Sequence, residues 1–335
     1  MKTQLNRVAV FVGLSLVCVL GLGAYLYRAK TSGVALSSDV LVASAPKQGQ
    51  IFFRYTGVDD NYGKLAVVDS GDLRTPRFVA GFSCEAVHFA AGSGICLSAD
   101  RGSITTYAAQ IFDASFASRF TLPLRGGPSR TRVSPDGKLA AFTVFLTGHG
   151  YTSLDFTTET ILLETASGNV LANLEDFQVT RDGQPFFAPD FNFWGVTFTP
   201  DSRRFYCTLS SNQKHYLVQG DIAARTASVI HENVECPSVS PDGMRVAYKK
   251  RFLVDGRRFW RLHVLNLESK GETPLGEKRS VDDQIEWFDN EHVLYAVSDN
   301  PEGSSATTNV WKADAADQLP PELFIPKAYS PAVVR

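Results

Sequence analysis

Methionine is nearly missing from these 335 residues, with only 2, and neither sign of charge dominates: 33 Lys and Arg stand against 35 Asp and Glu, a formal net charge of −2. No bulk field is available to gather a polyanion, so composition gives no argument for a nucleic-acid partner. Long apolar segments of 3.6-residue period are also scarce, so the bulk of the chain does not read as helix. Several chemical signatures are missing as well. There is no Gly-x-Ser-x-Gly elbow, no glycine loop to cradle phosphate, and no closely spaced His-Glu or Cys-x-x-Cys set. The histidines, His88, His149, His215, His231, His263 and His292, are scattered. Local sequence therefore assigns no catalytic residue, no metal ligand and no cofactor.

What the chain does have is apolar and aromatic: 44% hydrophobic residues, 23 Phe and 11 Tyr, a β-favouring composition large enough to bury a core. It also has a repeat. Ser134-Pro135-Asp136-Gly137-Lys138-Leu139-Ala140-Ala141-Phe142 returns as Thr199-Pro200-Asp201-Ser202-Arg203-Arg204-Phe205-Tyr206-Cys207 and as Ser240-Pro241-Asp242-Gly243-Met244-Arg245-Val246-Ala247-Tyr248. In each copy an apolar run enters Pro-Asp turn chemistry and a β-rich run leaves it, which is how a hairpin between buried strands is written. Weaker copies are Pro46-Lys47-Gln48-Gly49 before Ile51, Ala91-Gly92-Ser93-Gly94 before Ile95, and Asp289-Asn290-Glu291 before Val293. Apart from one long step, the markers Lys47, Ala91, Asp136, Asp201, Asp242 and Asp289 are spaced by roughly 41 to 47 residues, the period of four-stranded propeller blades. In phase with them, Leu65–Val68, Thr160–Leu163 and His263–Leu267 each run into an acidic or Ser-Gly turn, as third strands would. The expected fold is all-β: a six-bladed β-propeller of four-stranded antiparallel blades, spanning residues 40–335.

The long step, between Asp136 and Asp201, holds two insertions. Leu146 to Thr158 carries Gly148-His149-Gly150-Tyr151, and Thr180 to Gly195 carries Phe186, Phe187, Phe191, Phe193 and Trp194. Insertions in a stacked repeat leave by loops on one face, often the binding face.

At the N-terminus, Val8 to Tyr27 runs about twenty residues without a charge, enough for a helix to cross a hydrocarbon layer of ~30 Å. Lys2 and Arg7 precede it, and Arg28 and Lys30 follow. The expectation is an uncleaved transmembrane anchor over residues 1–30 and a linker over 31–39, with the propeller exported to the extracytoplasmic side. The competing reading is a signal cleaved after Ala35, where Gly33-Val34-Ala35 supplies small residues. Cys18 lacks the small neighbour of a lipoprotein site and reads as part of the apolar run.

The Ser-Pro-Asp-Gly hairpins followed by apolar strands resemble the WD40-like repeats of bacterial TolB-type six-bladed propellers. The resemblance is carried by the turns at Asp136, Asp242 and Asp201 and covers about Val40 to Arg335. It implies an extracytoplasmic propeller that works by binding an envelope protein or a small ligand. The chain departs from that family at its start, where the roughly 45 residues ahead of the propeller are too few for the α/β domain that TolB carries. The propellers of prolyl-oligopeptidase enzymes are similar and gate a hydrolase domain, which this sequence does not include. The alternative reading is a propeller hydrolase or lactonase with a site in the central channel, where different blades would have to supply the converging side chains.

Candidate residues follow from placement. Asp136, Asp201 and Asp242 read as turn residues accepting backbone N–H bonds rather than as a catalytic carboxylate set. Cys207 and Cys236 fall at the same end of the barrel axis on adjacent blades, so a disulfide between them competes with two buried thiols. Cys84 and Cys96, placed in regular pairing around the Ala91 turn, are too far apart to bridge. The candidate binding surface comprises His149, Tyr151, Asn192, Trp194, Asp282 and Asp283. On this reading the aromatic insertion seals or shapes the channel mouth, Asn192 and Trp194 line the main pocket, and His149 and Asp283 stand on its rim.

Overall fold

The computed structural model describes residues 45–148, 156–298 and 307–335, with Gly13, Ser15, Leu16, Leu20 and Gly21 besides. The expected anchor, Val8–Tyr27, otherwise lies outside the described residues, as do His149 and Tyr151. Among the described residues no helix is long and apolar enough to cross a membrane.

Six sheets follow one another along the chain, five of four strands and one of six. Each of the last five blades begins with its innermost strand: Ala86–Ala90, Gly127–Val133, Asn192–Phe198, Glu235–Val239 and Glu286–Trp287. The marker turns at Ala91, Asp136, Asp201, Asp242 and Asp289 all join that strand to the second one, so the repeat was read in phase. Blade 1 differs. Its turn at Lys47 leads into Gln50–Tyr55, but the strand on the inner side of Gln50–Tyr55 is Ala328–Val333, with Ile51 opposite Val333 and Tyr55 opposite Ala328. Main-chain hydrogen bonds between segments far apart in sequence thus close the ring, with Ala328–Val333 as the innermost strand of blade 1.

The inner strands are largely apolar because each blade is covered on both faces. In Gln50–Tyr55, Ile51 and Phe53 pack with Leu294 and Val310 of blade 6, while Phe52, between them in sequence, packs with Phe89 and Phe112 of blade 2. Alternate side chains of a strand point to opposite faces, and here both faces are core. Burying one such Phe contributes roughly 1.5–3 kcal/mol.

Blade 4 absorbs the aromatic insertion in two separate ways. Gln178–Arg181 pairs in parallel with Thr226–Glu232, the outermost strand, and Gln184–Phe186 then pairs back on it. The segment therefore satisfies its backbone by adding to a free sheet edge. Asn192–Phe198 instead forms the innermost strand of the blade, so the stretch from Thr180 to Gly195 is not one loop folded over the mouth.

The disulfide expectation is also corrected. Cys84 is joined to Cys96, with Cα atoms 5.4 Å apart, while Cys207 and Cys236 are free and buried. Cys84 does not continue the strand that pairs with Cys96. It belongs to the segment crossing from blade 1, where its N–H donates to the Gly63 carbonyl at 2.9 Å. The bridge thus pins the junction of blades 1 and 2, and the pairing distance that seemed to forbid it does not apply.

Candidate functional site

The end of the channel at which the marker turns lie, the turn end, follows one rule three times. The Ser134 hydroxyl donates to Asp136 at 2.7 Å, and the same Asp136 oxygen accepts from the Lys138 N–H at 3.1 Å. Thr199, Asp201 and Arg203 repeat this at 2.6 and 3.1 Å, as do Ser240, Asp242 and Met244. Burial alone would raise the Asp136 and Asp242 carboxyls, but these bonds hold them below the usual range; for Asp201 the Thr199 bond is itself the leading cause. The three aspartates are thus turn residues, as their sequence context indicates. Gly137 and Gly243 take φ of 72° and 75°, and Ser202 takes 58° at the equivalent place, a left-handed position where only glycine is without strain. Neighbouring turns interlock: the Asp136 N–H donates to Ser202 Oγ at 3.3 Å and the Asp242 N–H to Asn290 Oδ1 at 3.1 Å.

With the aspartates turned into their own hairpins, Pro135, Pro200 and Pro241 face the axis. They wall a cavity of about 190 Å³ together with Phe198, Trp287 and Val333. Its charged side is a cluster of buried groups from three innermost strands, joined by the part-exposed Arg335 that follows the last strand. Glu286 receives Arg132 and, at 2.9 Å, Arg335, while His88 Nε2 lies 3.7 Å away. The other ring nitrogen, His88 Nδ1, accepts the Val133 N–H at 3.1 Å. Burial, with Arg132 beside it, holds the His88 pKa down at about 4. Burial would raise Glu286, but Arg335 and Arg132 hold it far below the usual carboxylate range. At neutral pH the cluster therefore contains two guanidinium groups, one carboxylate and a neutral imidazole.

The opposite end, the loop end, is closed by a different cluster. Lys249, fully buried, reaches Asp282 at 2.5 Å, and Arg130 approaches the same carboxylate at 3.4 Å while donating to the Tyr329 hydroxyl at 3.0 Å. Asp283 turns inward, accepting the Gln284 N–H at 2.8 Å and the Ala296 N–H at 2.9 Å. Burial raises its pKa. Burial would raise Asp282 too, but Lys249 and Arg130 keep it ionised. The Gln284 amide ties two blades by donating to the Val196 and Pro237 carbonyls at 3.1 and 3.3 Å.

Among the sequence candidates, Asp282 and Asp283 are adjacent in this closure. Trp194 is fully buried with Phe145, Cys236 and Trp260, and Lys249 lies 5.0 Å over the Trp260 ring, so Trp194 connects to Asp282 through Trp260 and Lys249. Asn192 accepts the Thr158 N–H at 2.9 Å, a link to blade 3. Neither Asn192 nor Trp194 lines the axial cavity, which lies at the turn end. Sequence reasoning missed His88, Arg132, Glu286 and the three prolines. Glu286 did carry a signal, since it stands between Ile285 and Trp287 in a short run that the repeat assigns to a buried innermost strand.

Fold and site together define a class: a velcro-closed six-bladed β-propeller with one end of its channel tied shut by charge and the other hollow. No protein-family model matches the sequence, and no curated protein matches it. Solved structures do. TolB from Acinetobacter baumannii superposes with a TM-score of 0.53 at 16% identity, over 87% of this chain and 68% of that one. A putative TolB from Agrobacterium tumefaciens gives 0.50 at 12%, over 82% and 87%. A chain of a nidogen/laminin complex gives 0.54 at 10%, over 86% and 98%. The chain therefore has a TolB-like six-bladed propeller fold, and at these identities the likeness concerns the fold alone.

Proposed function

We propose that this protein is an extracytoplasmic binding or scaffold module, held at the membrane by Val8–Tyr27, that takes a protein segment or small ligand at the turn end of its channel. The observation that carries the reading is the axial cavity. It is concave and mostly apolar, with a few fixed charged groups at one side, which is the composition of a binding site. The cluster behind it favours binding over turnover, because His88 is engaged at Nδ1 and faces Glu286 with its other nitrogen, and Glu286 is itself held by two arginines. The Cys84–Cys96 bridge supports placement outside the cytoplasm, where disulfides persist. The TolB-like fold supports a protein partner. The test is capture of partners from native membranes by the full-length protein and by Val239→Trp, which fills the cavity. Partners retained equally by both would overturn the cavity as the binding site, and full-length protein in the soluble fraction would overturn the anchor.

A further inference from the structure

The axial cavity at the turn end offers donors and acceptors unequally. Among the described residues, Glu286 is the one carboxylate that lines it. An ionised carboxylate has about four acceptor positions, and those of Glu286 are engaged. One oxygen receives Arg132 and faces His88 Nε2 at 3.7 Å; the other receives Arg335 at 2.9 Å and the Val333 N–H at 3.4 Å. His88 is engaged too. Its Nδ1 accepts the Val133 N–H at 3.1 Å, which makes the ring neutral, and its remaining N–H faces Glu286.

Donors are left over. Arg335 carries five N–H groups in a planar fork; it donates through one terminal nitrogen to Glu286 and through the other to the Trp287 carbonyl, and 42% of its side chain is exposed. Arg132 Nε is buried without a hydrogen-bond partner. The Ser238 hydroxyl accepts from Arg132 at 3.5 Å and keeps its own proton to donate. Two guanidinium groups against one carboxylate leave the lining side chains with one positive charge in excess. Arg245, 5.2 Å over the Trp287 ring, does not add to it, because Asp242 answers that guanidinium at 3.7 Å.

We propose that the cavity takes a ligand with one carboxylate on an apolar body: the carboxylate pairs with Arg335 beside Arg132, and the body lies among Pro135, Pro200, Pro241 and Trp287. The proposal rests on the binding role of the cavity set out above and names the chemistry of its ligand. Charge selects a carboxylate over a phosphate monoester. One negative charge brings the lining to neutrality, whereas the roughly 1.5–2 charges of a phosphate overshoot it in a mostly apolar site, where unpaired charge is costly. An amine would raise the excess to two. The guanidinium fork also matches the two oxygens of a carboxylate. Size limits the body: an apolar cavity of roughly 150 Å³ takes up benzene, so about 190 Å³ accommodates one ring with its carboxylate. A free organic acid or the C-terminus of a polypeptide supplies such a group.

The test titrates the full chain in detergent with fluorinated probes read by fluorine NMR line width. The probes are para-fluorophenylacetate, para-fluorophenylacetamide, and an acetylated triglycine peptide ending in para-fluorophenylalanine, with a free or an amidated C-terminus. At least one acid should bind about tenfold more tightly than its amide, the margin of a charge-assisted over a neutral hydrogen bond. Whichever acid binds more tightly identifies the source, organic acid or polypeptide. Arg335→Gln should bring the acid down to the affinity of the amide and leave the amide unchanged, and Val239→Trp should abolish binding of every probe. Acid and amide binding alike, both lost in Val239→Trp, overturns the carboxylate and leaves the cavity as a binding site. Absence of binding by all four probes, or binding that survives Val239→Trp, overturns the cavity reading as well. An acid preference that persists in Arg335→Gln overturns the assignment to Arg335. Melting temperatures check that each variant is folded; if Arg335→Gln is not, the acid-to-amide ratio in the unaltered protein still decides.

Discussion

The two ends of the channel are built by different rules. At the turn end the repeat dictates everything close to the backbone: hydroxyl, carboxylate and N–H close each hairpin, and the prolines are left facing a hollow axis. At the loop end nothing repeats. The insertions, the Arg130–Asp282–Lys249 closure and the Cys84–Cys96 bridge each belong to particular blades. The ends also differ in how they store charge. The turn end keeps an ionised Glu286 between two arginines, whereas the loop end keeps Glu175, whose burial pushes its pKa up to about 8. Glu175 accepts the Thr160 N–H at 3.1 Å through one oxygen, and its other oxygen is buried without a hydrogen-bond partner. A repeated hairpin can thus supply geometry at one end while single substitutions tune the other.

The largest effect is expected at the turn end. Glu286→Ala leaves Arg132 and Arg335 buried or half-buried without their carboxylate and should cost about 3–5 kcal/mol in denaturant unfolding. A loss under about 1 kcal/mol would mean that water already screens the cluster. At the loop end, Trp194→Ala should cost a similar ~3–5 kcal/mol, because the indole is enclosed between three blades. If that variant instead keeps its stability and loses partner capture, Trp194 acts as an exposed anchor and the burial described here is wrong. Reducing Cys84–Cys96 should remove roughly 2–4 kcal/mol. Mass mapping without reductant should link those two peptides and find Cys207 and Cys236 alkylated only after unfolding. A smaller change, about 0.5–1.5 kcal/mol, is expected for Asp242→Ala, which removes one turn's side-chain bonds.

The sharpest contrast between the ends lies in pH. His88 has a folded pKa of about 4, below its unfolded ~6.5, so its contribution is complete above ~6.5 and is lost as pH falls toward 4. Glu286, depressed further, contributes above its unfolded ~4.3 and is lost at still lower pH. Glu175 runs the other way: its contribution is complete below ~4.3 and is lost as pH rises through about 8. Melting temperature against pH should therefore fall on both sides. Glu175→Gln should flatten the alkaline side and leave the acid side unchanged; an identical profile for that variant would remove the contrast.

How much of this was legible follows from what is local. A turn is decided by four or five consecutive residues, so Ser134-Pro135-Asp136-Gly137 and its copies announced the hairpins, their phase and the blade count. The aspartates were read correctly as turn residues for the same reason, since their partners lie within two residues of them. What depended on distant neighbours was not legible. Cys84 reaches Cys96 only because the crossing segment from blade 1 leaves strand register, and the phenylalanines of the insertion divide between an outer edge and an inner strand according to which backbone was free to pair. The axial cluster is the clearest case: His88, Arg132, Glu286 and Arg335 are spread over nearly 250 residues, and no spacing relates them. Sequence by itself determined the repeating hairpins, because their hydrogen bonds close within each copy. Only the tertiary structure decided which charges meet at the axis, because ring closure brings together innermost strands that have no local reason to know of one another.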